Sequence, residues 1–158
     1  MPETFSDDMT GLPGFLFIDH LAIAVKKGEL EIQIQQYQQL GFTEIHQETM
    51  LGNDQVRESL MRIGNSPNLI QLIEPLNETS PIQKWIDRNG GRGGMNHVGF
   101  RVRNASEAHN YLKGQGFNII DPAPRPGSRG TIVFFLHPKS RVEHSFGVLI
   151  EIVEEPKL

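Results

Sequence analysis

The sequence predicts an α+β domain built from two βαβββ modules whose strands form a curved sheet around a cleft, and three observations carry that reading. The segments IDHLAIAV, from Ile18, and MNHVGFRV, from Met95, are both short apolar runs with a histidine at the third position. Each is followed by a helix-like stretch that ends in Gly-Phe and then by further strand-like segments. The spacing also repeats: His97 lies 77 residues after His20, Gly116-Phe117 lies 75 after Gly41-Phe42, and Glu151 lies 80 after Gln71. A nearly constant offset is the signature of an internal repeat. Pairing two such modules would place His20 and His97 face to face.

In chain order, residues 1–14 lack periodicity and hold Pro2, Gly11, Pro13 and Gly14, which predicts a flexible amino-terminal tail. Module one then runs over about 15–76. FLFIDHLAIAV alternates as a strand, and GELEIQIQQYQQLGF carries Leu30, Ile34, Tyr37 and Leu40 at helical spacing. FTEIHQE, QVRESLMRI and NLIQLIEP are the next three strands. A connector helix is expected over 80–90, with Ser80 as N-cap, Pro81 in its first turn, Gln83 completing a capping box, and Gly90-Gly91 as the stop. Module two covers about 94–154: the strand GMNHVGFRV, a helix in NASEAHNYLKGQGF capped by Asn104 and Glu107, a short strand at NII, then strands at TIVFFLHP and FGVLIEIVE. Together residues 15–158 are expected to make one domain.

Bulk properties restrict the function classes. A chain of 158 residues suits a single domain. Hydrophobic content of 37% and charged content of 22% are ordinary for a soluble protein, and the apolar runs are far shorter than a membrane span. The acidic, polar start does not resemble a secretory signal, so a cytoplasmic protein is expected. A pI near 5.8 and net charge of -4 give no footprint for nucleic acid. With no cysteine, a metal would have to be held by histidine, carboxylate or amide oxygen.

Strand parity turns the repeat into chemistry. Side chains alternate faces along a strand, so His20 shares its face with Ile18 and Ala22, and His97 shares its face with Met95 and Gly99. Gln71 interrupts LIQLI and Glu151 interrupts VLIEI, each a polar residue between aliphatics. A buried polar group without a partner costs about 1–3 kcal/mol, so partners are expected. His20, Gln71, His97 and Glu151 together offer two imidazoles, an amide oxygen and one carboxylate. That set suits a divalent ion such as Co, Mn, Ni or Zn, with two adjacent positions of an octahedron left open for a pair of substrate oxygens.

These residues, with GRGGMNHVGF, DPAPRPGSRG, FLHPKS, GVLIEI and the connector EPLNETSPIQKW, resemble the vicinal oxygen chelate superfamily and within it the methylmalonyl-CoA epimerases. The resemblance spans Ile18 to Val153 and implies the vicinal oxygen chelate fold around a metal-containing cleft. It implies His20, Gln71, His97 and Glu151 as metal ligands, and epimerisation of an acyl-CoA by 1,1-proton transfer. It points to Glu58, in QVRESLMRI, as a catalytic acid-base working with Glu151 from opposite walls. Glu58 shares a strand face with Val56 and Leu60, which predicts an inward carboxyl whose burial raises its pKa. Glu48 is the weaker rival. His46, His109, His137 and His144 are given no metal role.

Arg92, Arg125, Arg129, Lys139 and Arg141 lie on loops where the phosphates of a CoA-type carrier could be met. Neither glycine-rich loop has the ending of a nucleotide-hydrolysing P-loop. The chain departs from the epimerase pattern at Asn96-His97, where a histidine pair is usual, at Phe146-Gly147, and in the longer RVEHSF segment. A related enzyme acting on another acyl thioester, a glyoxalase-type isomerase, and a non-catalytic small-molecule binding or resistance protein are the alternatives. A homodimer is expected, because the outer strands of such modules leave edges to be covered.

Overall fold

Residues 11–139 and 144–156 are described by the computed structural model, and the periodicity of the sequence is realised in them as eight strands and three α-helices. The order is β1 (Phe15–Ala24), α1 (Leu30–Gln39), β2 (Phe42–Met50), β3 (Val56–Ile63), β4 (Leu69–Pro75), α2 (Pro81–Arg88), β5 (Gly94–Val102), α3 (Ala105–Gly114), β6 (Arg125–Pro126), β7 (Ile132–Leu136) and β8 (Leu149–Glu154). None of the helices is long and apolar enough to cross a membrane. The chain divides into two compact units, His20–His97 and the remainder on either side of it.

In the unit His20–His97 the strands hydrogen-bond in the order β2-β3-β4-β1, with β1 parallel to β4 and the other pairs antiparallel. One face of this sheet carries α1. Leu30 and Ile34 pack there with Val25, Met61 and Leu72, joined by Tyr37 and Phe42. Leu40, expected on the same stripe, is instead 68% exposed, because the helix ends at Gln39 and Leu40 serves as its C-cap. The opposite face holds His20 and Ala22 on β1, Gln71 and Ile73 on β4, and Glu58 and Leu60 on β3. Register confirms the shared face, since Ala22 sits opposite Gln71 and Gln71 opposite Leu60.

Helix α2 begins as expected, with Pro81 in the first turn and the Ser80 hydroxyl accepting from Ile82 N at 3.2 Å. The capping box does not form. Gln83 donates to Asp87 at 2.9 Å, one turn along, and that local pairing takes the side chain away from the cap. After α2 the backbone passes so close to β1 that a Cβ on Gly93 would lie 2.3 Å from the Ala24 carbonyl oxygen. Only glycine fits there, and this contact fixes the start of β5.

The second unit repeats the plan with a weaker middle. Val102, Ala105, Ala108, Leu112, Phe134, Leu136, Ile150 and Ile152 form its core. Asn104 caps α3 by accepting from Glu107 N at 2.9 Å, as expected. The strand expected at NII is reduced to one bridge, between Ile119 and Leu136, followed by the two-residue β6. Pro122, Pro124 and Pro126 remove the donors that a longer ladder would need. Residues 11–14 differ from the expected tail. Leu12 packs on this core, and the Gly14 carbonyl accepts from Arg103 N at 3.0 Å. Residues 1–10, the rest of that tail, lie outside the described residues.

A matching pair of helix caps ties each unit together. Glu74, in the last strand of module one, accepts from Gly28 N at 2.8 Å and Leu30 N at 3.0 Å, at the start of α1. Glu154, in the last strand of module two, accepts from Ala105 N at 2.9 Å, at the start of α3. A carboxylate suits the unsatisfied N–H groups and positive dipole end of a helix. Arg57 joins the first cap, bonding Glu74 at 3.1 Å and Glu31 at 2.6 Å, and holds the Glu31 carboxyl below its ordinary pKa. Glu74→Ala is therefore expected to lower unfolding stability by about 1–3 kcal/mol in urea titrations. The exposed Glu78→Ala should change it by no more than about 0.5 kcal/mol.

Candidate active site

The chemistry-bearing face of the unit His20–His97 is assembled from β1, β3, β4 and β5. His20 and His97 are 3% and 4% exposed, and their Nε2 atoms lie 3.1 Å apart, with the rings edge to face. The sequence repeat thus does bring the two histidines together. Asn96, itself buried, has its Oδ1 2.7 Å from His97 Nδ1. Oδ1 only accepts, so the Nδ1 proton of His97 is committed to Asn96 and its Nε2 lone pair faces His20.

On the sheet face that His20 shares, Gln71 donates its amide Nε2 to Glu58 Oε2. Its other end, Oε1, is buried and has no hydrogen-bond partner among the described residues. Glu58 is 1% exposed and lies with Val56 and Leu60 on the buried face, as the strand parity predicts. Arg57, a neighbour that could have drawn Glu58 outward, is taken up by Glu31 and Glu74 on the other face. Across the β2–β3 ladder Glu48 is directly opposite Glu58, and Glu48 Oε1 is 2.9 Å from His46 Nε2.

In the second unit, Glu151 stands between the buried Ile150 and Ile152 on β8 and pairs in register with Phe135 on β7. That unit also contains a charged cluster that the sequence reading missed. Asp19 is fully buried, accepts from Arg101 Nε at 2.8 Å, and pairs with Arg129 Nη2 at 2.9 Å. Its signal was present: Asp19 lies on the strand face opposite His20, and a buried acid demands a cation. Arg129 sits in a left-handed conformation, φ 59°, inside a tight turn over Ser128–Gly130. Among the basic residues expected to meet phosphate, Arg129 is thus held by Asp19, and Arg125 is held by Asp121 at 3.0 Å. Arg92 and Lys139 are exposed, and Arg141 lies outside the described residues. His109 is a packed core histidine, bonded to the Asp121 carbonyl at 2.9 Å and set against Phe134.

These residues fit a divalent cation. Two donors bound to one ion at about 2.1 Å and at right angles are separated by about 3.0 Å, close to the Nε2–Nε2 distance found. The bare Oε1 of Gln71, costing about 1–3 kcal/mol while unpaired, is a hard donor of the kind a cation would satisfy. The Asn96 contact is the outer hydrogen bond that orients a ligating imidazole.

Comparison with known proteins identifies the family. Residues 19–135 match the Glyoxalase/Bleomycin resistance protein/Dioxygenase superfamily, and the chain belongs to it. Within it, the chain is similar to the mitochondrial methylmalonyl-CoA epimerase of Dictyostelium discoideum, with 36% identity over 93 residues, 59% of this chain and 53% of that protein. The match thus spans about half the length of that relative. The crystal structure of methylmalonyl-CoA epimerase from Mycobacterium tuberculosis has the same fold, with a TM-score of 0.82 and 32% identity, covering 96% of this chain and 95% of that one. A methylmalonyl-CoA epimerase solved in complex with methylmalonyl-CoA and NH4+ aligns with a TM-score of 0.78 and 30% identity, covering 89% and 95% of the two chains.

The site geometry is open to a direct check. Nitrogen-15 NMR of the metal-free protein is expected to find His97 protonated at Nδ1 and bare at Nε2, with His20 donating from its Nε2. Asn96→Leu should lose that preference. An Nε2–H tautomer of His97 in the unaltered protein would contradict the assignment.

Proposed function

We propose that this chain is an isomerase that interconverts the R and S forms of methylmalonyl-CoA by a metal-dependent 1,1-proton transfer. The observation that carries the reading is the arrangement around Gln71. One end of its amide is bonded to a buried carboxylate, and the other end is a buried, unpaired oxygen on the sheet face that also carries His20, whose imidazole meets that of His97. Relatives named as epimerases, one of them solved with methylmalonyl-CoA, support the substrate class.

In this reading His20, Gln71, His97 and Glu151 hold a divalent ion, with Co, Mn, Ni and Zn the candidates for such a donor set. When bound, the metal supplies a Lewis acid that polarises the substrate's carbonyl oxygens and so acidifies the carbon between them. Glu58 removes the α-proton. Its burial excludes water from the transfer, and the Gln71 amide orients the carboxylate. Glu151 is the second acid, returning a proton to the opposite face of the same carbon. The exposed Arg92 and Lys139 are proposed to meet the carrier's phosphates. We also propose a homodimer acting in the cytoplasm. Support for the dimer comes from β2, which among the described residues pairs with β3 alone and leaves an edge.

The test is turnover in deuterated water. One epimer of methylmalonyl-CoA should acquire deuterium at the α-carbon as the two epimers equilibrate. Glu58→Gln should keep its metal and lose about two or more orders of magnitude in rate. Glu151→Gln should weaken metal binding as well, since it removes the one anionic donor. No exchange by metal-loaded protein would refute the assignment and leave the fold untouched.

A further inference from the structure

A two-base epimerase has a proton-balance problem that the reaction does not solve by itself. In each net forward turnover one C–H bond breaks as the proton passes to the first base, and one C–H bond forms as the second acid gives its proton up. The free enzyme is left with the first base protonated and the second acid bare. Before it can turn over again in the same direction, a proton must leave the first base for solvent and another must reach the second acid. Glu58 is 1% exposed, which makes its direct exchange with bulk water slow. Its neighbour Gln71 cannot help, because an amide N–H donates a hydrogen bond but does not give up its proton.

The β2–β3 ladder supplies another neighbour. Glu48 is the cross-strand partner of Glu58, and His46, two residues away on the same strand face, bonds Glu48 at 2.9 Å. One nitrogen of His46 and one oxygen from each of Glu48 and Glu58 lie within 4.8 Å of one another. That separation is within reach of a hop through one water. The side chains of His46 and Glu48 are 32% and 35% exposed, so the trio runs from a sealed carboxylate to solvent. Imidazole is suited to the outer position, because it takes up a proton on one nitrogen and releases it from the other.

We propose that Glu48 and His46 form a proton relay that returns Glu58 to its basic form between turnovers by carrying its proton to bulk water. The proposal rests on the reading of Glu58 as the base. Glu48 and His46 touch no substrate in this account and act through Glu58. Nothing else is consumed: the proton lost from Glu58 goes to water, and water returns one to the second acid.

Such a reset step follows product release, so it limits kcat and leaves kcat/KM unchanged. His46→Ala is expected to lower kcat by about tenfold or more, with kcat/KM within about twofold of the unaltered enzyme. Product inhibition should become noncompetitive, and added imidazole should restore kcat in a concentration-dependent way. A merely structural role for His46 would give no imidazole response. Glu48→Gln, which keeps shape while removing the relay group, should show the same split without imidazole rescue. Glu58→Gln is the control. If it is as active as the unaltered enzyme, the base assignment fails and the relay with it. If Glu58→Gln is inactive while folded His46→Ala and Glu48→Gln keep full kcat, or lose kcat and kcat/KM together, the relay alone is overturned.

Discussion

The Gln71 side chain is the junction on which the site depends. A primary amide has a donor end and an acceptor end, and the two cannot serve the same kind of partner. Glu58 takes the donor end from β3, so the acceptor end has to face the opposite way, where it is buried and unpaired. One hydrogen bond thereby does two things. It locks the orientation of a buried carboxylate that would otherwise be costly to hold in place, and it leaves a bare oxygen on the sheet face that His20 shares. The proposed base and the proposed ligand are coupled through it. A change at either residue is therefore expected to be felt at both, and double substitutions should be non-additive.

The scaffold keeps that junction in place through features that recur in both modules. The last strand of each module reads LIQLIE or LIEIVE, and the Glu that closes each motif caps the helix following that module's first strand. The same strand therefore carries, three residues apart, the candidate ligand and the anchor of its own helix. Gly93 sets where β5 begins by its close approach to β1, and so contributes to the position of His97. The wall of the site is a consequence of backbone register, in which Ala22, Gln71 and Leu60 fall opposite one another. Small Ala22 beside His20 keeps that wall low.

Much of this was legible in the sequence because strand parity and repeat offset are geometric statements. They placed His20 against His97, turned Glu58 inward and put Gln71 among aliphatics. What they could not give was the choice between competing local partners. Gln83 had the spacing for a capping box and bonded Asp87 instead. The NII segment had strand-forming residues, yet the prolines that follow reduced it to a bridge. Leu40 kept helical spacing past the end of its helix and came out exposed. Asp19 was overlooked because it adjoins His20 and faces the other way, and its two arginine partners are far off in sequence. Glu74 and Glu154 were hidden by the same distance, although the repeat that aligned Gln71 with Glu151 aligns them too.

The central claim is that two imidazoles and the Gln71 oxygen bind a single divalent ion, and X-ray absorption of the cobalt-loaded protein tests it most directly. The account expects one ion per chain, with a shell of nitrogen and oxygen donors at about 2.1 Å that contains two imidazoles and loses one oxygen donor in Gln71→Ala. A stoichiometric ion with one imidazole or none, or a shell indifferent to Gln71→Ala, would contradict it.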